Sequence, residues 1–157
     1  MFGNLTDIEI EEVISSQVVG RIGCHADNTT YVVPVSYAYD GIYVYGHTPE
    51  GMKVAMMRKN PKICFQTDRM DDMANWKSVI AWGDFEEVVD PEERKDVVQK
   101  LFQRNLPLIS SETAHLSPQW PFGSPEDSDV TGVIYRVRLE EKTGRYEKAI
   151  NKTYFAS

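Results

Sequence analysis

Tyr31, Val33, Val35, Tyr37 and Tyr39 alternate with Val32, Pro34, Ser36 and Ala38, and Asp40-Gly41 follows at once. A period of two is the mark of a strand with one buried face. Asp-Gly at its end is a strong hairpin signal, so Ile42 to Tyr45 reads as the returning strand. Upstream, Val18 to His25 is rich in β-branched residues and is joined to the first strand by an Asp27-Asn28 turn. Strands linked this directly form an antiparallel meander. A parallel doubly wound sheet would need a helical crossover between neighbouring strands.

The rest of the chain extends this pattern with short helices. Thr6 and Glu9 have capping-box spacing ahead of Ile8, Ile10, Val13 and Ile14, which predicts an N-terminal helix ending near Ser16. Pro49-Glu50-Gly51 breaks the strand pattern, and residues 52–59 read as a helix stopped by Asn60-Pro61. Ile63 to Thr67 is a short strand, Asp68 to Asn75 a polar loop, and Val79 to Val89 a long strand with a bulge or close approach at Gly83. Asp90-Pro91 opens a helix with an apolar stripe of Val97, Val98, Leu101 and Phe102. Leu106 to Asp129 holds four prolines and reads as a long loop. Val133 to Leu139 alternates again. The strands are expected near 18–25, 30–39, 42–46, 62–67, 77–89 and 131–141. One mainly β domain over residues 1–157 follows, an antiparallel barrel with appended helices.

Composition narrows the function. At 41% hydrophobic and 26% charged, 157 residues can bury a core without staples. Seventeen basic against 24 acidic residues give a net charge of −7, which argues against nucleic acid and anionic membranes as partners. No run approaches the ~20 apolar residues of a membrane span, and the first ten residues lack the pattern of a secretion signal. Cys24 and Cys64 fit neither a disulfide framework nor a zinc knuckle, so a reducing cytoplasm is expected. His25, His47, His115 and Cys24 have no metal-ligand spacing.

Three segments could carry chemistry. In Tyr45-Gly46-His47-Thr48-Pro49-Glu50-Gly51-Met52-Lys53 a strand ends and a helix begins with a lysine in its first turn. Free N–H groups, the helix dipole and Lys53 would suit a phosphate. The plainer alternative is a solvated surface lysine. In Val32-Val33-Pro34-Val35-Ser36-Tyr37, Pro34 lies mid-strand, which fits an edge whose backbone faces either water or a ligand. In Trp76-Lys77-Ser78-Val79-Ile80-Ala81-Trp82-Gly83, polar side chains could meet a planar heterocycle, or the segment is a core tryptophan beside a bulge. Trp120, in the long loop, either pins that loop or covers a ligand edge.

Taken in order, Val19-Gly20-Arg21-Ile22-Gly23, Tyr31 to Tyr37, Pro49 to Lys53, Asn60-Pro61, Trp76 to Val79, Trp82 to Glu86 and Thr143-Gly144-Arg145 resemble the pyridoxamine-phosphate-oxidase-like flavoproteins. The nitroimidazole-resistance type is the branch most resembled. The resemblance implies a split β-barrel homodimer with FMN at the dimer interface. Val32, Val33, Pro34, Val35, Ser36 and Tyr37 would lie along the flavin, and Gly46 and His47 at the next strand end. Met52 and Lys53 would stand where the family often has Arg-Lys on the phosphate, and Ser78 would reach the ring. Met52 leaves one phosphate cation missing, for which Lys77 or Arg58 are candidate replacements. The histidine column of the resistance branch falls on Gly46; His47 is one residue later and so on the opposite face.

The function so implied is an oxidoreductase that passes electrons from NADH or NADPH through FMN to a small molecule. A flavin-binding module without turnover, or a barrel holding haem or another planar ligand, are the alternatives. The phosphate seat favours the flavin, and no residue stands out as an acid or base.

Overall fold

The computed structural model describes residues 1–104 and 130–150; Trp120, His115 and the expected loop 106–129 lie outside the described residues. Among the described residues three helices accompany eight strands: β1 (Phe2–Asn4), α1 (Asp7–Ser16), β2 (Val19–Ala26), β3 (Thr29–Ser36), β4 (Ala38–Tyr39), β5 (Tyr43–Thr48), α2 (Met52–Lys59), β6 (Lys62–Asp72), β7 (Asn75–Glu87), α3 (Pro91–Gln103) and β8 (Val133–Glu147). All pairings are antiparallel. The strands run β3-β2-β6-β7-β8-β5-β4, with β1 added to β8. The sheet curls without closing, so β3 and β4 are its two ends and the barrel is split.

Local chemistry explains most boundaries. Thr6 Oγ1 accepts from the Glu9 N–H while the Thr6 N–H donates to Glu9 Oε2, and this capping box starts α1. Asp27 and Asn28 both have positive φ, 51° and 59°, as a two-residue hairpin turn requires. Asp40 Oδ1 accepts from the N–H groups of Ile42 and Tyr43, which folds the next turn over Gly41. Asp90 caps α3 through the Glu93 N–H. At Gly83 the pairing with β8 slips, and a methyl group there would come within 1.9 Å of the Arg138 carbonyl oxygen, so the bulge needs glycine.

Three expectations are corrected. The strand expected over 30–39 is broken at Tyr37, whose N–H donates to the Val18 carbonyl and whose hydroxyl donates to the Ile14 carbonyl at 2.6 Å. Residues 68–75 are not a loop: β6 runs to Asp72, and Met73-Ala74 is a tight turn held by Asp72 Oδ1. Beyond the core this hairpin is exposed on both faces, so it shows no apolar periodicity. The last strand continues past 141 to Glu147, where β1 joins it through the Met1 amino group and the Lys148 carbonyl. Ile8 points to solvent rather than into the core.

The main core lies inside the sheet, where Ile22, Phe65, Val79 and Val137 pack against Ile14 of α1 and Met57 of α2. A second cluster, with Tyr45, Val88 and Ile134, lies between the other side of β5 and β8 and the Val97–Leu101 stripe of α3. Among the described residues no helix is long and apolar enough to cross a membrane.

Candidate functional site

Pro34 sits on a free edge. The two-residue turn makes Ala26–Thr29 a hydrogen-bonded pair, and such pairs then recur at Cys24–Tyr31, Ile22–Val33 and Gly20–Val35. The backbone groups of Val32, Pro34 and Ser36 therefore point away from β2, off the end of the sheet. The N–H that proline lacks would have faced outward, so Pro34 removes no ladder bond. The Ser36 Oγ is buried without a hydrogen-bond partner. Such a group costs about 1–3 kcal/mol unless something satisfies it.

Lys53 stands in the first turn of α2. The Gly51 cap supplies no side-chain bond, which leaves the first helical N–H groups open. Lys53 is half-buried, and neither a salt bridge nor a hydrogen bond holds its amine among the described residues. Burial pushes its pKa below the ordinary lysine value, and electrostatic interaction with Cys24 raises it in part. Cys24 faces Tyr31 across the ladder, which sets the charge beside the first half of β3. Burial raises the Cys24 thiol above its ordinary pKa, so this cysteine is a packing group and not a nucleophile.

Met52, one residue earlier, is exposed. The two suggested replacement cations are both engaged. Arg58 donates to both oxygens of Glu50 at 2.8 Å and to Glu87 at 2.9 and 3.0 Å, and Lys77 donates to Glu9 at 3.1 Å. The Thr48 hydroxyl donates to the Pro49 carbonyl and is likewise spent.

Gly46 and His47 contribute no side chain to this edge. A methyl group on Gly46 would come within 2.3 Å of the Tyr135 ring, so the position faces the packed interior. His47 points to the other side of β5, as the strand period requires. Its Nε2–H donates to the Thr131 carbonyl, and its Nδ1 is buried without a partner.

Ser78 belongs to a second group. It lies on β7, three strands from β3, or roughly 14 Å at the usual strand spacing. The register aligns Pro34, Arg21, Gln66 and Ile80 across four strands, and Val32, Gly23, Cys64 and Trp82 in the next row. Both rows lie on the outward face. Gln66 Nε2 donates to Asp68 at 2.9 Å and to Ser78 at 3.2 Å, while Arg21 Nη1 donates to Gln66 Oε1 at 3.3 Å. Around this polar strip Val32 is 62% exposed, Val19 52%, Trp82 41% and Ile80 38%. Arg21, Gln66 and Asp68 were not legible as site residues, because the row exists only once four strands are in register.

A cavity of 560 Å³ opens elsewhere, between α1, β4 and α3, with Tyr37, Tyr39, Asp40, Tyr45 and Lys100 in its wall. The three tyrosine hydroxyls already donate, to the Ile14 carbonyl, Glu11 and Asp40. No group of three or more potential metal ligands occurs among the described residues.

Residues 6–146 match the pyridoxamine 5'-phosphate oxidase family, and the chain belongs to it. It is 27% identical over 144 residues to an uncharacterized protein of Rhizobium meliloti (strain 1021), covering 87% of this chain and 89% of that one. Among solved structures it resembles a FAD-binding protein of Mesorhizobium loti, with 26% identity, a TM-score of 0.70, and 94% and 99% of the two chains covered. A Bacteroides thetaiotaomicron protein named for 5-nitroimidazole antibiotic resistance shares the fold at 19% identity and a TM-score of 0.67, with 93% and 87% covered.

Proposed function

We propose that the protein is an FMN-binding flavoprotein, active as a homodimer, that passes electrons from NADH or NADPH to a small-molecule acceptor. The observation that carries this is Lys53: a half-buried cation without a partner, at an uncapped helix start beside a free strand edge. Burying an unpaired charge is costly unless a counter-charge is supplied. A flavin phosphate supplies one, and the open α2 N–H groups add donors. The edge groups of Val32, Pro34 and Ser36 can bond the polar rim of the ring system.

The homodimer follows from the two separated groups. Ser78 and the β3 edge of one chain stand too far apart to hold one side of a flavin ring together. A second copy laying its outward β2–β6–β7 face against the β3 edge would bring them to a single ligand. The exposed Val19, Val32, Ile80 and Trp82 give that face the apolar area an interface core needs.

Bound flavin supplies hydride and electron transfer. The protein's part is to hold the phosphate, orient the ring and exclude water from one face. His47 is a poor axial ligand for haem, since its nitrogens are buried or bonded. The Mesorhizobium relative's name keeps FAD as a second reading, although the sequence has no dinucleotide fingerprint. A cytoplasmic location is part of the same proposal and agrees with two free thiols.

Titration of the apoprotein with FMN, FAD and riboflavin, followed by NADH and NADPH addition, is the test. FMN binding tighter than the other two, with bleaching of the flavin by a nicotinamide, is expected. Equal affinity for FMN and riboflavin contradicts the phosphate seat. Tighter binding of FAD selects the second reading. Binding without bleaching reduces the protein to a flavin-holding module.

A further inference from the structure

We infer that Arg145, with Ser78 beside it, seats the acidic group of the small-molecule acceptor, so that the site takes compounds carrying a carboxylate or a phosphate. The inference rests on the flavin reading above, in which Ser78 reaches the ring. Arg145 stands directly opposite Ser78 in the β7–β8 register. Side chains so paired have Cβ atoms about 4.5–5.5 Å apart. An anion held by the guanidinium therefore lies within one side-chain length of whatever Ser78 contacts.

Arg145 belongs to a protein with a net charge of −7, yet it forms no ion pair among the described residues. Its nearest same-face carboxylate on β8, Glu147, accepts from Trp76 Nε1 at 2.9 Å. Asp68 accepts from Gln66 and faces Arg21 at 3.9 Å. Most other cations on the described surface are matched: Arg58, Lys59, Lys62, Lys77, Arg136 and Lys142 all have carboxylate partners.

The backbone that carries Arg145 is held on both sides, by Ser78 and by Asn4 of β1. The Leu5 N–H donates to the neighbouring Gly144 carbonyl at 2.9 Å. A methyl group on Gly144 would meet Leu5 and Ile10 at 2.8 Å, so glycine there lets the helix side close beneath the strand. An exposed arginine paired in register with a serine, next to the Trp76 and Phe2 pair, suits a small anion attached to a flat body. Arg is the side chain whose fork matches carboxylate and phosphate.

The test uses the FMN-loaded protein and two probes of similar shape, benzoate and benzyl alcohol, read by the change each makes in the visible flavin spectrum. Benzoate is expected to bind the wild type more tightly than the alcohol. Arg145→Gln should raise the benzoate Kd by about tenfold or more and leave the alcohol and FMN affinities within about twofold. Arg145→Lys should recover part of the loss. Equal benzoate binding by wild type and Arg145→Gln, or a wild type that prefers the alcohol, overturns the assignment while leaving the flavin reading intact. A wild type that binds no FMN overturns the flavin reading and this assignment with it.

Discussion

Gly46 and Tyr135 occupy the same space: any Cβ at position 46 would press into the Tyr135 ring at 2.3 Å. Tyr135 is fully buried in the main core, and Gly46 pairs with it across β5 and β8. A histidine in this column cannot be accepted here without moving a core tyrosine. Gly46→His is therefore expected to lower thermal stability, and Gly46→Ala to cost about 1–3 kcal/mol by overpacking. Chemical denaturation of the two variants checks this. A stable Gly46→His protein would show that the Tyr135 ring can swing aside.

Lys53→Met should weaken FMN by about tenfold to a hundredfold, the worth of one hydrogen bond to a charged group. Riboflavin should bind wild type and variant alike. Parallel loss of both ligands would mean that the variant has damaged the fold.

Met52→Arg is the converse. Arg58 and Lys77, the two suggested replacements for the second phosphate cation, are both held by carboxylates. An arginine at this exposed N-terminal position of α2 should tighten FMN by about tenfold. Unchanged affinity would mean that position 52 points away from the phosphate.

Burial lowers the Lys53 pKa. The folded protein therefore binds fewer protons here than the unfolded chain between that lowered value and the ordinary one, and stability of the apoprotein gains from this group as pH rises through that window. FMN binding needs the charged amine, so affinity should fall as pH rises through the same window. Lys53→Arg should flatten that fall, since arginine stays charged. Isothermal titration of FMN across alkaline pH measures it, and a wild-type profile as flat as that of Lys53→Arg would exclude Lys53 as the phosphate cation.

Much of this fold is local enough to be read before it is seen. Thr6 with Glu9, Asp27-Asn28, Asp40-Gly41 and Asp90-Pro91 each act through neighbours in the chain, and helix 52–59 falls where Gly51 and Asn60-Pro61 bound it. What escaped depends on distant partners. β1 exists only because Phe2 to Asn4 meet Arg145 to Glu147. The β6–β7 hairpin tip has no core behind it and so no apolar period. Pro34 pointed to an edge, and the edge is there. Arg21, Gln66 and Asp68 join Ser78 only through the register of β2, β6 and β7, which no spacing in the sequence encodes.

A flavin held between two copies of the chain, as proposed, would depend on Trp82 in the outward row. Trp82→Asp puts a charge in the outward apolar row, where loss of an interface anchor is worth about 2 kcal/mol or more, roughly thirtyfold in dimer affinity. It should yield a folded monomer that no longer retains FMN.

Sedimentation velocity of the FMN-loaded wild type, followed at the flavin's visible absorbance, is the most direct measurement. The flavin should move with a particle of twice the 17.9 kDa chain mass. Flavin moving with a single chain, or left behind by a protein dimer, would contradict the account.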